Sequence, residues 1–502
     1  MRPRYRVEAP SLTTTTARSG IYILIRRILA NGIRVVAIGI LARELTASEF
    51  GVVAISVVAV NLLTVFGSGG IITYIVCDRE PDWETRVNPA FWLNMTLATA
   101  GCAITIISLP LITWFFPQEH VAEVILICLA TYLIEQAKMA PEALLQRRLA
   151  FRVLAIRDTG RDFSSATLQV VFALAGFGVW SLVLPNLIIA PLTVLFTARA
   201  AKFVPRRELG RASWPRIFGF TKSVMGEQIL SYVGNEVDTA VVGRTLGSAT
   251  VGVYNLAYQL ANLIGRTLSA VLNLVTTPAL AAAFERKTGL GAPYRKMMRV
   301  LSLMTTPLLL GMFVLANELV AVIYGPKWED AVPLLRIFIV FSLVRSVTSP
   351  SGAIFNVVGR PALSMHIVVW FLALYIPALV VTAYYGDVID IALCVAFARI
   401  VVGFVSLYIS LHLIGESKWR VTEELARPFF AGAVMTAVAW FANDAFVSME
   451  WPIAARLVVV SVLGGVVYLA AILVVARRAL DETISLVKDL LRRKRRRAGA
   501  SA

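Results

Sequence analysis

The chain carries little charge for its length. Of its 502 residues only 16% are charged and 58% are hydrophobic, whereas soluble domains contain about 25% charged residues. So few charges cannot cover the surface of a water-soluble protein, and so much apolar sequence does not stay disordered. The composition therefore excludes both classes and is typical of a protein that lies in a membrane.

Several sequence patterns are also missing. The four cysteines show neither paired nor metal-ligand spacing, so we expect free thiols, no disulfide and no metal site. The P-loop pattern GxxxxGKS/T is absent, which predicts no ATP hydrolysis by this chain. The basic N-terminus lacks a small-residue cleavage site after a short apolar core, so we expect no cleaved signal peptide.

Long apolar runs are present instead. A helix that crosses a bilayer needs ~20 apolar residues, and runs of this length are helices rather than barrel strands. An all-α polytopic fold with about fourteen transmembrane helices is therefore predicted. The runs are 20–43, 50–77, 89–115, 120–143, 153–176, 179–198, 215–243, 249–281, 297–324, 330–357, 362–385, 388–413, 424–446 and 453–476.

Lys and Arg residues are concentrated in alternate loops. The loops on the side of both termini are basic, as at Arg206, Arg207 and the run Arg492 to Arg497. The opposite loops carry little more than Arg43, Arg244, Lys327 and Arg456. Because basic loops stay in the cytoplasm, both termini are predicted to be cytoplasmic. The same bias explains the net charge of +17 without a nucleic-acid partner.

A weak internal repeat relates the two halves at an offset of 201 residues. Leu41 to Leu45 aligns with Val242 to Leu246, and Gly51-Val52 aligns with Gly252-Val253. Six spans separate the copies, so their orientation is kept and the repeats are parallel. The repeat predicts two six-helix lobes that face each other across a V-shaped central cavity.

The repeat and the loops together predict the organisation of the chain. Its parts are a cytoplasmic N-terminal segment at 1–19, a first lobe at 20–198, a cytoplasmic linker at 199–214, a second lobe at 215–413, two further helices at 424–476 and a basic cytoplasmic tail at 481–502.

Polar side chains occur inside the predicted spans, where charges are costly and mark transport pathways by default. The candidates for a substrate cavity are Arg26, Arg27, Arg34, Lys222, Asn235, Arg266, Arg345 and Arg399. The candidates for ion coupling or gating are Glu135, Glu227 and Asp238. The deep cations outnumber the deep carboxylates, and the planar fork of Arg suits phosphate. We therefore expect an anionic substrate with a large polar part.

Simpler interpretations remain open for some of these residues. Arg26, Arg27 and Lys222 lie near the cytoplasmic ends of their spans and can snorkel to lipid headgroups. Glu135 and Lys138 are three residues apart and can neutralise each other.

The chain resembles a known family in several segments. Asn235 to Asp238, Val242 to Gly247 and Gly252 to Tyr258 resemble the seventh-to-eighth-helix hallmark of Wzx-type lipid-linked oligosaccharide flippases. These belong to the multidrug/oligosaccharidyl-lipid/polysaccharide (MOP) exporter superfamily. Further similar segments are Leu41 to Leu45, Glu49 to Gly51, Leu144 to Arg152, Gly176 to Leu182, Pro333 to Ile337 and Gly359 to Pro361. The resemblance covers residues 20–415.

The resemblance implies a transporter and not an enzyme. It implies that an undecaprenyl-pyrophosphate-linked repeat unit crosses the bacterial cytoplasmic (inner) membrane by alternating access, for synthesis of O-antigen, capsule or exopolysaccharide. Related flippases hold the pyrophosphate with cations of the first and eighth helices, which here makes Arg27, Arg34 and Arg266 candidates. The implied partners are the polyprenyl-pyrophosphate-linked oligosaccharide, membrane lipid, a polysaccharide polymerase and export machinery, with no cofactor.

Two alternative functions remain open. A cation-coupled multidrug exporter of the same superfamily needs an acidic, aromatic cavity, and the candidates here are mostly basic. An integral-membrane polysaccharide polymerase or glycosyltransferase needs a sizeable outer loop with carboxylates or arginines. The predicted outer loops are short, with Glu119 and His120 in one and Asp387 and Asp390 in another.

The topology can be tested with reporter fusions along the chain. We expect fusions near residues 205, 290 and 418 to report the cytoplasm and fusions near 117, 246 and 388 to report the outside. Alkaline phosphatase and green fluorescent protein are suitable reporters. A consistent inversion of all six would overturn the orientation, and with it the direction of transport.

Overall fold

A computed structural model describes residues 31–475, apart from residues 69, 79, 81, 208, 287, 288 and 361. Within helices, the side chains of 62–68, 77, 223, 224, 227, 270–279, 281 and 282 also lie outside the description. Of the candidate residues, Arg26 and Arg27 therefore lie outside the described residues, as does the side chain of Glu227. The described part of the chain is helical and contains no strand.

Eighteen α-helices follow one another in the described residues, and α1 covers 31–44 there. The others are α2 (Ala47–Ser68), α3 (Ile71–Cys77), α4 (Trp83–Phe115), α5 (Val121–Gln136), α6 (Met139–Arg147), α7 (Phe151–Leu174), α8 (Trp180–Ala201), α9 (Trp214–Thr245), α10 (Gly247–Glu285), α11 (Gly291–Val314), α12 (Ala316–Ile323), α13 (Ala331–Thr348), α14 (Ser351–Val357), α15 (Ala362–Tyr385), α16 (Val388–Ile414), α17 (Lys418–Ser448) and α18 (Ile453–Val475). Two short 3-10 helices lie at Arg211–Ser213 and Pro326–Trp328.

These helices coincide with the predicted apolar runs. Each run overlaps one helix or a consecutive pair, and the pairs are α2–α3, α5–α6, α11–α12 and α13–α14. Among the described residues, eight helical segments are long and apolar enough to cross a membrane. The chain is therefore an all-α multi-pass membrane protein, and the number of fourteen crossings stays a prediction.

Local sequence fixes the ends of several helices, most clearly those of α16. The Asp387 carboxylate accepts hydrogen bonds from the backbone N–H groups of Ile389 and Asp390 at 2.8 and 3.0 Å. The Asp390 carboxylate in turn accepts from the Asp387 N–H at 3.1 Å, which completes a capping box. At the other end Gly415 adopts a φ of 64°, a conformation that favours glycine and ends the helix.

Helices α2 and α10 cross at very short range and join the two predicted lobes. A Cβ atom on Gly51 would lie 1.7 Å from the Ser248 carbonyl oxygen, and one on Gly252 would lie 2.0 Å from the Ala47 carbonyl oxygen. Only glycine permits this approach. The Ser48 and Ser248 hydroxyls also share a hydrogen bond of 2.8 Å. We call this crossing, together with the turn described next, the outer contact.

The turn after α12 adds backbone-directed bonds to the outer contact. The Trp328 Nε1 donates to the Ala42 carbonyl at 2.8 Å, and the Lys327 ammonium donates to the carbonyls of Arg43 and Leu45 at 2.9 and 2.7 Å. The Trp328 side chain is 1% exposed. The largest buried apolar cluster of the described residues spans this region and includes residues of both predicted lobes. The halves are thus packed as firmly here as within one core.

A disulfide can report the outer contact directly. We expect cysteines replacing Ser48 and Ser248, in a chain without its four native cysteines, to cross-link under mild oxidation because their hydroxyls touch. With a protease site introduced into the 199–214 linker, the cleaved halves should still run together at full length on a non-reducing gel and separate when the disulfide is reduced.

The matched control pairs a cysteine at Ser48 with one at Ser269, which lies about 30 Å further along α10 and should not react. Equal cross-linking of both pairs, or of neither, would contradict the arrangement.

Candidate functional site

A buried ion pair lies at the centre of the second predicted lobe. Asp238 of α9 accepts from Arg399 Nη2 of α16 at 3.0 Å, and their side chains are 2% and 8% exposed. The same carboxylate oxygen accepts from the Tyr254 hydroxyl at 2.9 Å. A buried charge without a partner is strongly destabilising, so the pair and its tyrosine hold each other in a fixed position.

Arg399 also connects this pair to an aromatic group. Its Nη1 donates to the Tyr258 hydroxyl, and Nη2 lies 3.2 Å from the Asn235 carbonyl oxygen. The guanidinium lies 5.3 Å from the centre of the Tyr258 ring and 5.5 Å from that of Phe341. Cations at these distances from aromatic rings are attracted to them.

Two further arginines contact the same rings. Arg266 of α10 lies 5.8 Å from the Tyr258 ring centre, and Arg345 of α13 lies 5.8 Å from the Phe341 ring centre. Arg266 is exposed and Arg345 is half-buried. We call Arg266, Arg345 and Arg399 the arginine cluster. Three candidates that are far apart in sequence are therefore neighbours in the fold.

The cluster contains cations without an acidic partner. Among the residues that the structure describes, Arg399 forms an ion pair, but Arg266 and Arg345 do not. Glu236 lies near enough for its charge to interact with those of Arg266 and Arg399. With Asp238 it supplies two carboxylates to three arginines, so the surroundings stay net cationic when all these groups are charged.

Arg34 approaches the cluster from the first predicted lobe. The Asn31 side-chain amide of α1 donates to the Thr267 hydroxyl of α10 at 2.8 Å. Arg34 lies three residues after Asn31, and Arg266 directly precedes Thr267, so the helix turns that carry the two arginines are in contact. Arg34 is exposed and has no ion pair with another described residue.

The other candidates lie apart from the arginine cluster or contact only its edge. Lys222 is exposed on α9, and the Asn235 side-chain amide donates to the Ser231 carbonyl at 2.6 Å. Glu135 pairs with Lys138 at 3.3 Å and with Arg161 at 2.6 Å. The ion pair that the spacing of Glu135 and Lys138 allows is therefore present in the structure. No group of three metal-ligating side chains occurs in the described ranges.

Sequence reasoning missed the uncharged half of this site. Tyr258 and Phe341 contact the arginines, and Tyr254 donates to Asp238. A charged residue, Glu236, was missed as well and adds a second carboxylate. Tyr254 and Tyr258 are four residues apart on α10, so their rings stack on one face, 6.4 Å between centres. The four-residue spacing of the two tyrosines can be read from the sequence, but among so many apolar residues it did not stand out as part of a site.

An exposed ionic contact joins the halves at the opposite end from the outer contact. Arg216, at the start of α9, donates to both Glu80 carboxylate oxygens, one of them at 3.0 Å. Beside it Arg86 donates to Asp78 at 2.8 Å, and its Nη1 lies within ion-pair distance of Glu80 at 3.0 Å. Burial opposes ionisation of Asp78, but the hydrogen bonds from Arg86 and from the Glu80 backbone, together with the charges of Arg86 and Arg216, outweigh it and lower the pKa of that carboxyl. We call the Glu80–Arg216 pair the inner contact.

Relatives of this chain are known among polysaccharide biosynthesis proteins. The lipopolysaccharide biosynthesis protein WzxC of Escherichia coli (strain K12) is 24% identical over 437 residues, covering 86% of this chain and 88% of that protein. The succinoglycan biosynthesis transport protein ExoT of Rhizobium meliloti (strain 1021) is 23% identical over 477 residues, covering 94% of each.

Solved structures share the fold at low sequence identity. The lipid II flippase MurJ in an inward closed conformation superimposes with a TM-score of 0.73 at 12% identity, over 92% of this chain and 100% of that one. An inward-facing multidrug resistance MATE family transporter of the MOP superfamily gives 0.61 at 16% identity, over 80% of this chain and 98% of that one. Residues 40–333 match the family model described as polysaccharide biosynthesis protein. This match spans more than half of the 502 residues, and the chain therefore belongs to that family of polysaccharide biosynthesis proteins.

Proposed function

We propose that this protein is a flippase that moves a polyprenyl-pyrophosphate-linked oligosaccharide across a membrane for polysaccharide synthesis. The observation that carries the proposal is the group of membrane-depth arginines without acidic partners, namely Arg34, Arg266 and Arg345 among the described residues. An unpaired arginine is costly in hydrocarbon and must face water or an anion. The similarity to WzxC, ExoT and MurJ supports a transporter of saccharide precursors rather than an enzyme.

The proposed architecture has two parallel six-helix lobes, two further helices and fourteen crossings in all. The outer contact supports the repeat, because its glycines, Gly51 and Gly252, differ by the repeat offset of 201 residues. The residues whose carbonyls these glycines contact, Ser248 and Ala47, differ by the same offset. A two-fold axis along the membrane normal relates such reciprocal contacts.

In the proposed mechanism the unpaired arginines hold the pyrophosphate. Arg34 contributes from the first lobe, and Arg266 and Arg345 contribute from the second. Each planar guanidinium can donate two parallel hydrogen bonds to phosphate oxygens. Arg26, Arg27, Lys222 and Asn235 stay in the proposal as further groups along the polar path, and Glu227 stays as a gating residue. The lipid tail remains in the bilayer while the sugars occupy the space between the lobes.

Arg399 has a different role in this proposal. Its guanidinium is already bound by Asp238 and Tyr258, so it positions the aromatic rings that the free arginines contact. Asp238 is neutralised by the same pair and is therefore a poor site for a coupling proton or sodium ion. Glu135 is likewise paired with two cations.

The outer and inner contacts differ in strength, which supports alternating access in which one contact opens before the other. The outer contact contains the buried Trp328 side chain and is directed at backbone carbonyls, whereas the Arg216 and Glu80 side chains of the inner contact are 57% and 42% exposed. Exposed ion pairs contribute about 0–1 kcal/mol. We therefore infer that the described structure opens first at the inner contact. With the positive-inside orientation, this end faces the cytoplasm of a bacterial inner membrane, where the substrate would enter.

A drug exporter is the second candidate, because the MATE transporter shares the fold. The net cationic surroundings of the arginine cluster favour an anionic substrate over the cations that such exporters carry. Interaction with a polysaccharide polymerase and export machinery at the outer end is a further part of the proposal.

Arginine substitutions test the pyrophosphate site. We expect Arg34→Ala, Arg266→Ala and Arg345→Ala each to reduce polymer export about ten- to hundredfold, the value of one charged hydrogen bond. Lysine at the same positions should keep partial activity, because it keeps the charge and loses the fork. Export is measured as surface polymer in a deletion strain, with lipid-linked intermediates analysed in parallel.

Arg207→Ala in the exposed linker is the matched control and should export normally. The proposal would be abandoned if well-expressed Arg34→Ala and Arg266→Ala both supported normal export.

A double substitution tests the role of the buried pair. Asp238→Asn or Arg399→Gln alone leaves a buried charge, which costs about 3–5 kcal/mol, so each should lower the unfolding temperature and abolish export. The double variant should regain much of the unfolding temperature and of the export, because no unpaired buried charge remains. Thermal unfolding of the purified protein and export in cells measure the two effects. If Asp238 instead carried a coupling ion, Asp238→Asn would stay stable and the double variant would not recover export.

A further inference from the structure

A second polar site lies away from the arginine cluster. A cavity of about 190 Å³, partly open to the outside, is lined by α12, the turn that follows it, the start of α13 and the start of α18. In the predicted topology these elements meet at the outer surface. The cavity does not include any residue of the proposed pyrophosphate site, so the mechanism above gives it no role.

Glu318 carries an unsatisfied oxygen in this cavity. Its side chain is 3% exposed and lines the cavity wall. One carboxylate oxygen accepts from the Asn443 side-chain amide at 3.1 Å and lies 3.4 Å from Arg456 Nη1. The other oxygen, Oε2, is buried and has no hydrogen-bond partner. Buried polar atoms are almost always hydrogen-bonded, so this oxygen points to a bound donor.

The surrounding groups restrict the chemistry of that donor. Arg456 also lines the cavity, and its Nε is buried without a partner. Its positive charge beside Glu318 disfavours a cation, while the carboxylates of Glu318 and Glu329 on the wall disfavour an anion. A neutral hydroxyl group can donate to Glu318 and accept from Arg456 at the same time. The cavity is smaller than the roughly 300 Å³ of ordinary ligand pockets, which fits one small ring.

The cavity is also connected to the outer contact. Gly325 and Pro326 line it, and the next two residues of the same turn, Lys327 and Trp328, bind the carbonyls at the end of α1. A ligand in the cavity therefore sits directly behind the turn that joins the two lobes. A ligand that binds the joined form better than the separated form stabilises the joined form.

We propose that this cavity binds a single sugar ring from the outer side, through Glu318 and Arg456, and thereby holds the outer contact closed. Sugar that accumulates outside would then slow the opening of the transporter. The regulatory part rests on the proposed function, whereas the binding part does not.

Binding is tested on the purified full chain in lipid nanodiscs. The probes are the methyl glycosides of D-glucose, D-galactose and D-mannose and N-acetyl-D-glucosamine, with sodium chloride and sodium phosphate as ionic comparisons. We expect at least one sugar to raise the unfolding temperature saturably and neither salt to do so. Glu318→Gln should weaken this binding roughly tenfold or more, because it removes the charged acceptor.

A cavity-filling variant keeps the test valid if Glu318→Gln fails to fold. Ala321→Met places a longer side chain in the cavity wall and should abolish the sugar effect. Val322→Met is its neighbour on α12, lies outside the lining and should leave the sugar effect intact. No shift with any of the four sugars, an equal shift in Ala321→Met, or a shift with sodium chloride alone would overturn the sugar site.

The coupling is tested with the cysteine pair replacing Ser48 and Ser248. The sugar that binds should increase the rate of cross-linking, and Ala321→Met should remove that increase. An unchanged rate with bound sugar would overturn the coupling. These measurements need no transport, so failure of the flippase proposal would appear separately, as normal export by the arginine variants.

Discussion

A charge at membrane depth must be paired or hydrated, and this constraint divides the ionisable side chains of the protein into two groups. In one group each charge has its partner, as in Asp238–Arg399 and Glu135–Lys138. In the other group Arg34, Arg266 and Arg345 form no ion pair with another described residue. The paired charges form part of the protein framework. The unpaired ones require water or a substrate anion, which is why they define the proposed path.

The helices could be predicted from the sequence because lipid imposes length and apolarity on each of them. Both ends of α16 were predicted to within one residue from the apolar run 388–413. Asp387 and Gly415, which cap the helix, lie just outside that run. The breaks between consecutive helices of one run were not predicted, although Ser349-Pro350 marks the break between α13 and α14 in the sequence. Hydropathy reports the environment of a side chain and not the path of the backbone.

The site could be predicted only as separate residues. Arg399 and Asp238 are 161 residues apart in the sequence, and no periodicity relates two helices that distant. Because each carries a charge inside an apolar run, the sequence identified both residues as unusual. It could not show that they neutralise each other. Tyr258 carries no charge, yet it interacts with all three arginines of the cluster. Pairing and aromatic support are properties of the packed helices, so they became visible only in the fold.

The pairing of Asp238 also bears on the energy source of transport. A pyrophosphate diester carries about two negative charges, and each is worth about 2.3 kcal/mol per 100 mV of membrane potential. Movement outward, away from a negative interior, therefore contributes about 4–5 kcal/mol per 100 mV if both charges cross the full field. A cation that moved outward with the substrate would cancel this contribution. Because Arg399 already neutralises Asp238 and stays in the protein, this carboxylate does not need to recruit such a cation, and the substrate can keep the full benefit of the potential.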